Sequence, residues 1–104
     1  MPTVIRNIEL RGINLAGKTR EEVRGWYLKT YDPEFMGGCG LADWTPDPRD
    51  AVVYPTVVDA IVAYRTIPRS KPVNELGVPN RPLTAYTVEF RHLDDAIREF
   101  DAAT

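Results

Sequence analysis

A helix that must stop almost as soon as it starts sets the first limit on what this chain can become. Gly12-Ile13-Asn14-Leu15-Ala16-Gly17-Lys18-Thr19 fits the phosphate-binding pattern G-x-x-x-x-G-K-[ST] position for position. In a true phosphate loop the backbone amides of Gly12 and Gly17 would wrap the phosphate. Lys18 would reach the outer phosphates and Thr19 would ligate magnesium. The segment that follows, Thr19-Arg20-Glu21-Glu22, has the form of a capping box with Thr19 as N-cap. Gly25 then closes the helix after about one and a half turns. Between Arg20 and Arg24 only Val23 is apolar, so such a helix has no face to lay on a sheet. Nor does the chain offer a convincing apolar strand ending in a magnesium-binding aspartate. Val57-Val58-Asp59 follows Pro55 and reads as a helix start. With 104 residues there is little room for repeated crossover units of about 30 residues or more. Nucleotide or phosphate binding at Gly12, Gly17, Lys18 and Thr19 therefore stays an alternative, and a turn after the first strand is the plainer expectation.

Composition narrows the class without naming a function. An apolar share of 43% with 27% charged residues is ordinary for one folded domain, expected to span residues 1–104. A net charge of −2 gives no general pull toward nucleic acid or anionic lipid. No apolar run is long enough to cross a bilayer and the N-terminus lacks a signal-peptide profile, so no membrane association and a cytoplasmic location are expected. The single cysteine, Cys39, excludes an internal disulfide framework and a cysteine-rich metal site. No cofactor and no metal are expected.

The periodicities give an order of elements. Residues 3–11 alternate as a strand, and the aromatic run Trp26-Tyr27-Leu28-Lys29-Thr30-Tyr31 is strand-like by residue type. Residues 34–40 hold three glycines and read as a loop. Asp47-Pro48 signals a single helical turn, and Val52-Val53-Tyr54 a short strand. Thr56 caps the best helix, with Asp59 in its first turn, Val57, Ala60, Ile61 and Tyr64 as the buried stripe, and Pro68 as its stop. Residues 69–82 form a long proline-rich loop. Residues 83–91 alternate cleanly as a strand, and Leu93, Ala96, Ile97 and Phe100 mark a short C-terminal helix. The class that follows is α+β: a small, mainly antiparallel sheet of about four strands, packed by one main helix, plus the C-terminal helix. Leu28, Trp44, Val57, Ile61, Tyr64, Val88 and Phe90 are the expected core.

Three blocks carry a resemblance: Gly25-Trp26-Tyr27-Leu28-Lys29-Thr30-Tyr31-Asp32, then Trp44-Thr45-x-Asp47-Pro48-x-x-Ala51, then Pro79-Asn80-Arg81-Pro82-Leu83-Thr84-Ala85-Tyr86-Thr87-Val88-Glu89. In these the chain resembles a group of small proteins encoded by actinobacterial phages and prophages. That resemblance implies a location in the host cell and brings no known activity, substrate or catalytic residue with it.

Chemistry-bearing residues are sparse. Cys39 and His92 share no motif that would bring them together as a nucleophile pair, and Asp94-Asp95 fits the negative charge favoured at a helix start. No catalytic residue is assigned, and a non-enzymatic role is expected. Two surfaces are candidates for a partner. Arg69, Lys71 and Arg81 lie in the proline-rich loop against one acid, Glu75, a composition suited to an acidic protein surface or to phosphates. Tyr27 and Tyr31, with Lys29 between them, would share one face of an ideal strand and could form an exposed patch. The leading expectation is a protein-interaction module acting on a host or phage protein. Nucleic-acid binding through the basic loop at 65–82, aided by aromatic stacking, is an alternative, and self-association is open.

Overall fold

A computed structural model describes residues 1–10 and 24–103. The phosphate-loop-like residues Gly12, Gly17, Lys18 and Thr19 lie outside the described residues. Four strands, β1 (Thr3–Leu10), β2 (Tyr27–Asp32), β3 (Leu41–Thr45) and β4 (Tyr86–His92), form one sheet in the order β3-β2-β1-β4 with every pairing antiparallel. Two longer helices, α1 (Val57–Tyr64) and α2 (Leu93–Ala103), complete the α+β architecture, with a single short helical turn at Phe35–Gly38 between β2 and β3.

The pleat of the central strand sorts the core into two layers. Val4 and Ile5 are both fully buried, yet as neighbours on β1 they point to opposite faces. On one face Ile5 meets Leu28, Ala42, Trp44, Leu83 and Ala60 of α1. On the other Val4 meets Tyr27, Ala51 and Ala96 of α2. Each helix thus approaches the sheet through an alanine, whose small side chain lets the backbones come close. α1 covers the first face and α2 the second.

Local signals hold where a cap or turn residue specifies them. Thr56 caps α1, its hydroxyl accepting from the Asp59 amide at 3.2 Å. Asp47 accepts from the Arg49 amide at 2.9 Å and starts a 3₁₀ turn over Pro48–Asp50. Arg49 then reaches Asp101 of α2 at 2.6 Å, tying that turn to the second helix. On the α2 side, Arg6 of β1 pairs with Glu89 of β4 at 2.8 Å, directly across the strand register.

Several expectations are corrected. The third strand is Leu41–Thr45, where Ala42 and Trp44 point inward, whereas Val52-Val53-Tyr54 contributes only a bridge between Tyr54 and Thr3. α1 ends at Tyr64, short of Pro68, and α2 is the longer helix. Val57 is 43% exposed and Ile61, although half-buried, stands outside the packed cluster. The helix is rotated so that Ala60, not Val57 and Ile61, leads the approach to the sheet. Leu28 and Trp44 are buried as expected, with Tyr64, Val88 and Phe90 packed against them.

Candidate functional site

The tyrosine patch does not form. Leu28 pairs with Trp44 but Thr30 pairs with Asp43, so β2 carries an extra residue at this point. A bulge of this kind shifts everything beyond it to the other face. Tyr27 packs with Val4 and Ala96, and is only 5% exposed. Tyr31 packs with the Leu28 cluster on the opposite face. The expectation that Tyr27, Lys29 and Tyr31 share one exposed face is therefore overturned by the bulge. Burial pushes the Tyr31 phenol up to about 12, although the Leu83 backbone pulls it the other way, and burial likewise raises Tyr27.

The basic loop, in contrast, has a defined shape built from backbone-directed side chains. At its tip Asn74 accepts from the amides of Leu76 (2.9 Å) and Val78 (3.2 Å), and its own amide donates to the Val78 carbonyl at 2.8 Å. This is an Asx turn, in which a short polar side chain mimics a backbone turn. Val73 and Pro79 bridge beneath it. At the base, the Asn80 side-chain amide donates to the Gly38 carbonyl at 2.9 Å and the Lys71 carbonyl at 3.1 Å.

Gly38 belongs to the turn between β2 and β3, and that turn is the loop's support. Glu34 accepts from the Arg69 amide and, at 3.1 Å, from the Ser70 amide. The Ser70 hydroxyl and then the Arg69 amide hold the Glu34 carboxyl below its usual range. Two close approaches complete the joint. A Cβ on Gly38 would stand 2.5 Å from Lys71 Cβ, and one on Gly40 would collide with the Pro82 ring, 2.7 Å from its Cγ. Both glycines have positive φ, +102° and +80°. Bare backbone is thus required twice for the β2–β3 turn and the 69–82 loop to meet.

The resulting lobe presents apolar side chains to solvent. Leu76 at the loop tip is 86% exposed, and Val73 and Val78 flank it. Met36 is 74% exposed and adopts φ +54°, a left-handed conformation that costs a non-glycine residue about 1–2 kcal/mol. Phe35, Met36, Cys39, Gly40 and Leu41 line an apolar depression of about 400 Å³ in the turn. Arg69 and Arg81 are exposed on the loop, and Lys71 is partly covered where it meets Gly38. The structure therefore brings Arg69, Lys71 and Arg81 onto one lobe with an apolar surface, and leaves Tyr27 and Tyr31 in the core. The sequence reading missed Glu34, Asn80, Met36 and Leu76. Only the Asx turn at Asn74-Glu75-Leu76-Gly77 had a local signature, an asparagine ahead of a glycine.

Catalytic candidates gain nothing from the fold. Cys39 is exposed in the β2–β3 turn and His92 ends β4, which lie on opposite sides of β1 in the sheet order. Asp94 and Asp95 sit in the first turn of α2, where they face its dipole. Among the described residues no three of His, Cys, Asp and Glu gather closely enough to hold a metal ion, and no helix is long and apolar enough to cross a membrane. The chain matches no protein-family model, no curated protein and no solved structure.

The Glu34 clamp gives a pH-dependent expectation. A carboxyl whose value is lowered in the folded state stabilises the docked loop fully above its unfolded value, near 4.5, and loses that contribution as pH falls through the folded value. The protection of the Arg69 and Ser70 amides against exchange, taken relative to the intrinsic rate at each pH, is expected to fall as the solution is taken below pH 4.5, while protection in β1 is kept. Glu34→Gln should show accelerated loop exchange already at pH 7. Equal rates in the variant and the native protein would remove the clamp from the account.

Proposed function

We propose that this protein is a non-enzymatic protein-interaction module of the phage or prophage type its sequence resembles. Its binding surface is the lobe made by the β2–β3 turn and the 69–82 loop. The partner is a host or phage protein that offers an acidic segment bearing apolar side chains. The observation that carries this reading is the pairing of a fixed backbone with an exposed apolar surface. Leu76 and Met36 are held out in solvent by a lobe whose base is anchored by Glu34, Asn80 and two obligatory glycines.

Isolated exposed apolar residues are common and need no explanation, but a group of them rimmed by charge is the usual composition of an interface. The rim here is basic: Arg69, Lys71 and Arg81 against Glu75. The carboxylate of Glu34 is already engaged by loop amides. A loop fixed before binding loses little entropy on association, so even a small apolar contact can yield useful affinity. Strain kept at Met36 is of the kind retained where a side chain must be displayed. The burial of Tyr27 weighs against the alternative of nucleic-acid stacking.

The test is quantitative affinity capture from an actinobacterial host lysate with three baits: the native protein, Arg69→Glu/Lys71→Glu, and Met36→Asp/Leu76→Asp. Exposed loop charges contribute little to stability, so the charge-reversed bait should melt within about 2 °C of the native protein. It should also associate more slowly with an acidic partner. A protein retained by the native bait and lost from both variants supports the lobe as the interface. Proteins retained equally by all three place the interface elsewhere.

A further inference from the structure

The sheet ends in two unlike edges, β3 and β4. On β3 the Trp44 amide donates to the carboxylate of Asp43 at 3.0 Å, so a side chain stands where a further strand would bond. A charged side chain placed this way is a common means of blunting an edge. β4 is different. The direction of its backbone groups follows from β1. Thr3 exchanges both its hydrogen bonds with Tyr54, and the Asn7 amide donates to Trp26 while its carbonyl accepts from Gly25, so the odd residues of β1 turn away from β4. Val4 and Arg6 therefore bond their partners Arg91 and Glu89, and Val88, Phe90 and His92 turn their amides outward. Among the described residues no backbone group accepts from those three amides. The bare stretch has two limits. At one end the Tyr64 hydroxyl donates to the Tyr86 carbonyl at 3.3 Å, and at the other the chain leaves the sheet into α2 at Leu93. Residues 88–92 remain, with Phe90 at their centre.

We propose that the β4 edge is a self-association site whose occupant is β4 of a second copy of the chain, paired antiparallel about a two-fold axis at Phe90, so that two sheets become one. The argument for a second copy lies in the register. Only the even residues offer outward groups, so the pairing can shift only in steps. Setting Val88 against Phe90 places Glu89 opposite Glu89 of the second copy. Setting Phe90 against His92 places Arg91 opposite Arg91. Setting Phe90 against Phe90 places Glu89 opposite Arg91, twice, and directly opposed residues of antiparallel strands share a face. Registers further along run into the Tyr64 cap or into α2. The register that charge selects is also the one that matches residues 88–92 with themselves. The two Phe90 residues exchange amide and carbonyl bonds, and each His92 amide meets a Val88 carbonyl. Glu89 and Arg91 then fall at the non-hydrogen-bonded positions, where opposed side chains come closest. On that face Arg6 already pairs with Glu89 at 2.8 Å and Glu99 with Arg91, so the new pairs extend a row of alternating sign. On the other face Phe90, edge-on to Tyr64 at 6.0 Å, meets Phe90 of the second copy. An edge that is its own complement in charge and hydrogen bonding is what a two-fold contact demands.

The paired stretch spans about 16 Å, so the contact is small and the dimer is a weak one. Sedimentation equilibrium on the full chain from about 1 μM to 1 mM is expected to show a monomer–dimer equilibrium within that range. Amide exchange over the same range reads the register in the native protein. The Phe90 and His92 amides should gain several-fold protection as concentration rises, while the Glu89 and Arg91 amides, bonded to β1, are protected throughout. His92→Pro removes an outward donor at an exposed edge position, where proline is tolerated, and should weaken association about tenfold. The decisive comparison uses Glu89→Arg and Arg91→Glu. Each variant alone places like charges together twice and should be monomeric. Mixed in equal amounts they should form a heterodimer with both charge pairs restored. Arg69→Glu/Lys71→Glu should dimerise like the native protein, which separates this edge from the lobe. A native protein that is monomeric at about 1 mM, an assembly that grows beyond a dimer, or protection at Phe90 that does not change with concentration overturns the proposal. So does a mixture no more associated than its two components.

Discussion

Gly40→Ala is expected to destabilise the protein by about 2–5 kcal/mol and to release the 69–82 loop from the β2–β3 turn. Two costs add. A side chain at φ +80° brings about 1–2 kcal/mol of left-handed strain, and a methyl group driven into the Pro82 ring brings about 1–3 kcal/mol of overpacking. The ring cannot swing aside as a flexible side chain could, because Pro82 opens the 3₁₀ turn that delivers the fully buried Leu83 to the core. For a chain of this size the melting temperature should fall by on the order of 10–20 °C. Gly77→Ala provides the control. Gly77 also has a positive φ, +77°, but nothing lies within 4 Å of its would-be Cβ, so only the strain should appear. Equal melting temperatures for the two variants would mean that the Gly40–Pro82 contact does not hold the lobe.

The second large effect is expected at Leu28. This side chain is fully buried and belongs to the cluster that joins β1, β2, β3 and α1. Leu28→Ala removes its transfer free energy and leaves a cavity that neighbouring strands cannot close, a cost of about 2–5 kcal/mol. Chemical denaturation should show the midpoint lowered with an unchanged slope. The same truncation on α1 should cost far less. Val57 is largely solvent-exposed, and Val57→Ala should fall within about 0.5 kcal/mol of the native protein. Ile61→Ala, at a half-buried site outside the cluster, should lie between the two. A Val57→Ala loss as large as that of Leu28→Ala would return the helix to the orientation its periodicity suggests.

That contrast shows where reading the sequence succeeds and where it stops. The stripe Val57, Ala60, Ile61 and Tyr64 identifies a helix and its apolar side, yet a stripe this broad leaves the helix free to rotate. Which residue leads is settled by how closely a backbone can approach Ile5 and Leu28, and Ala60 allows the closest approach. On α2 the spacing of Leu93, Ala96, Ile97 and Phe100 again marks a helix, and Ala96 again leads.

Caps, turns and strand periodicity were legible because their causes lie within a few residues. Thr56 finds the Asp59 amide three positions on, and Asp47 finds Arg49 two positions on. β4 alternates because Val88 and Phe90 pack on the Ile5–Leu28 cluster while Glu89 and Arg91 carry ion pairs on the other face. The α+β class follows from the order of these elements. The bulge in β2 has no such local mark. Ideal alternation places Tyr27 and Tyr31 together, and only the register against β3 separates them.

The candidate site was half legible. Arg69, Lys71 and Arg81 were visible as a basic loop, but the support that gives the loop its shape comes from elsewhere in the chain. Glu34 meets Ser70 across 36 residues, and Asn80 meets Gly38 across 42. The sequence by itself determined the caps, the class of fold and most of the elements, though not the third strand at Leu41–Thr45, because those depend on dihedral preferences and hydrogen bonds between near neighbours. The tertiary structure alone decided which tyrosine is buried and which residue of α1 faces the sheet. It also decided that a glycine-rich turn and a proline-rich loop become one surface, since each of these depends on contacts between segments brought together only by the sheet.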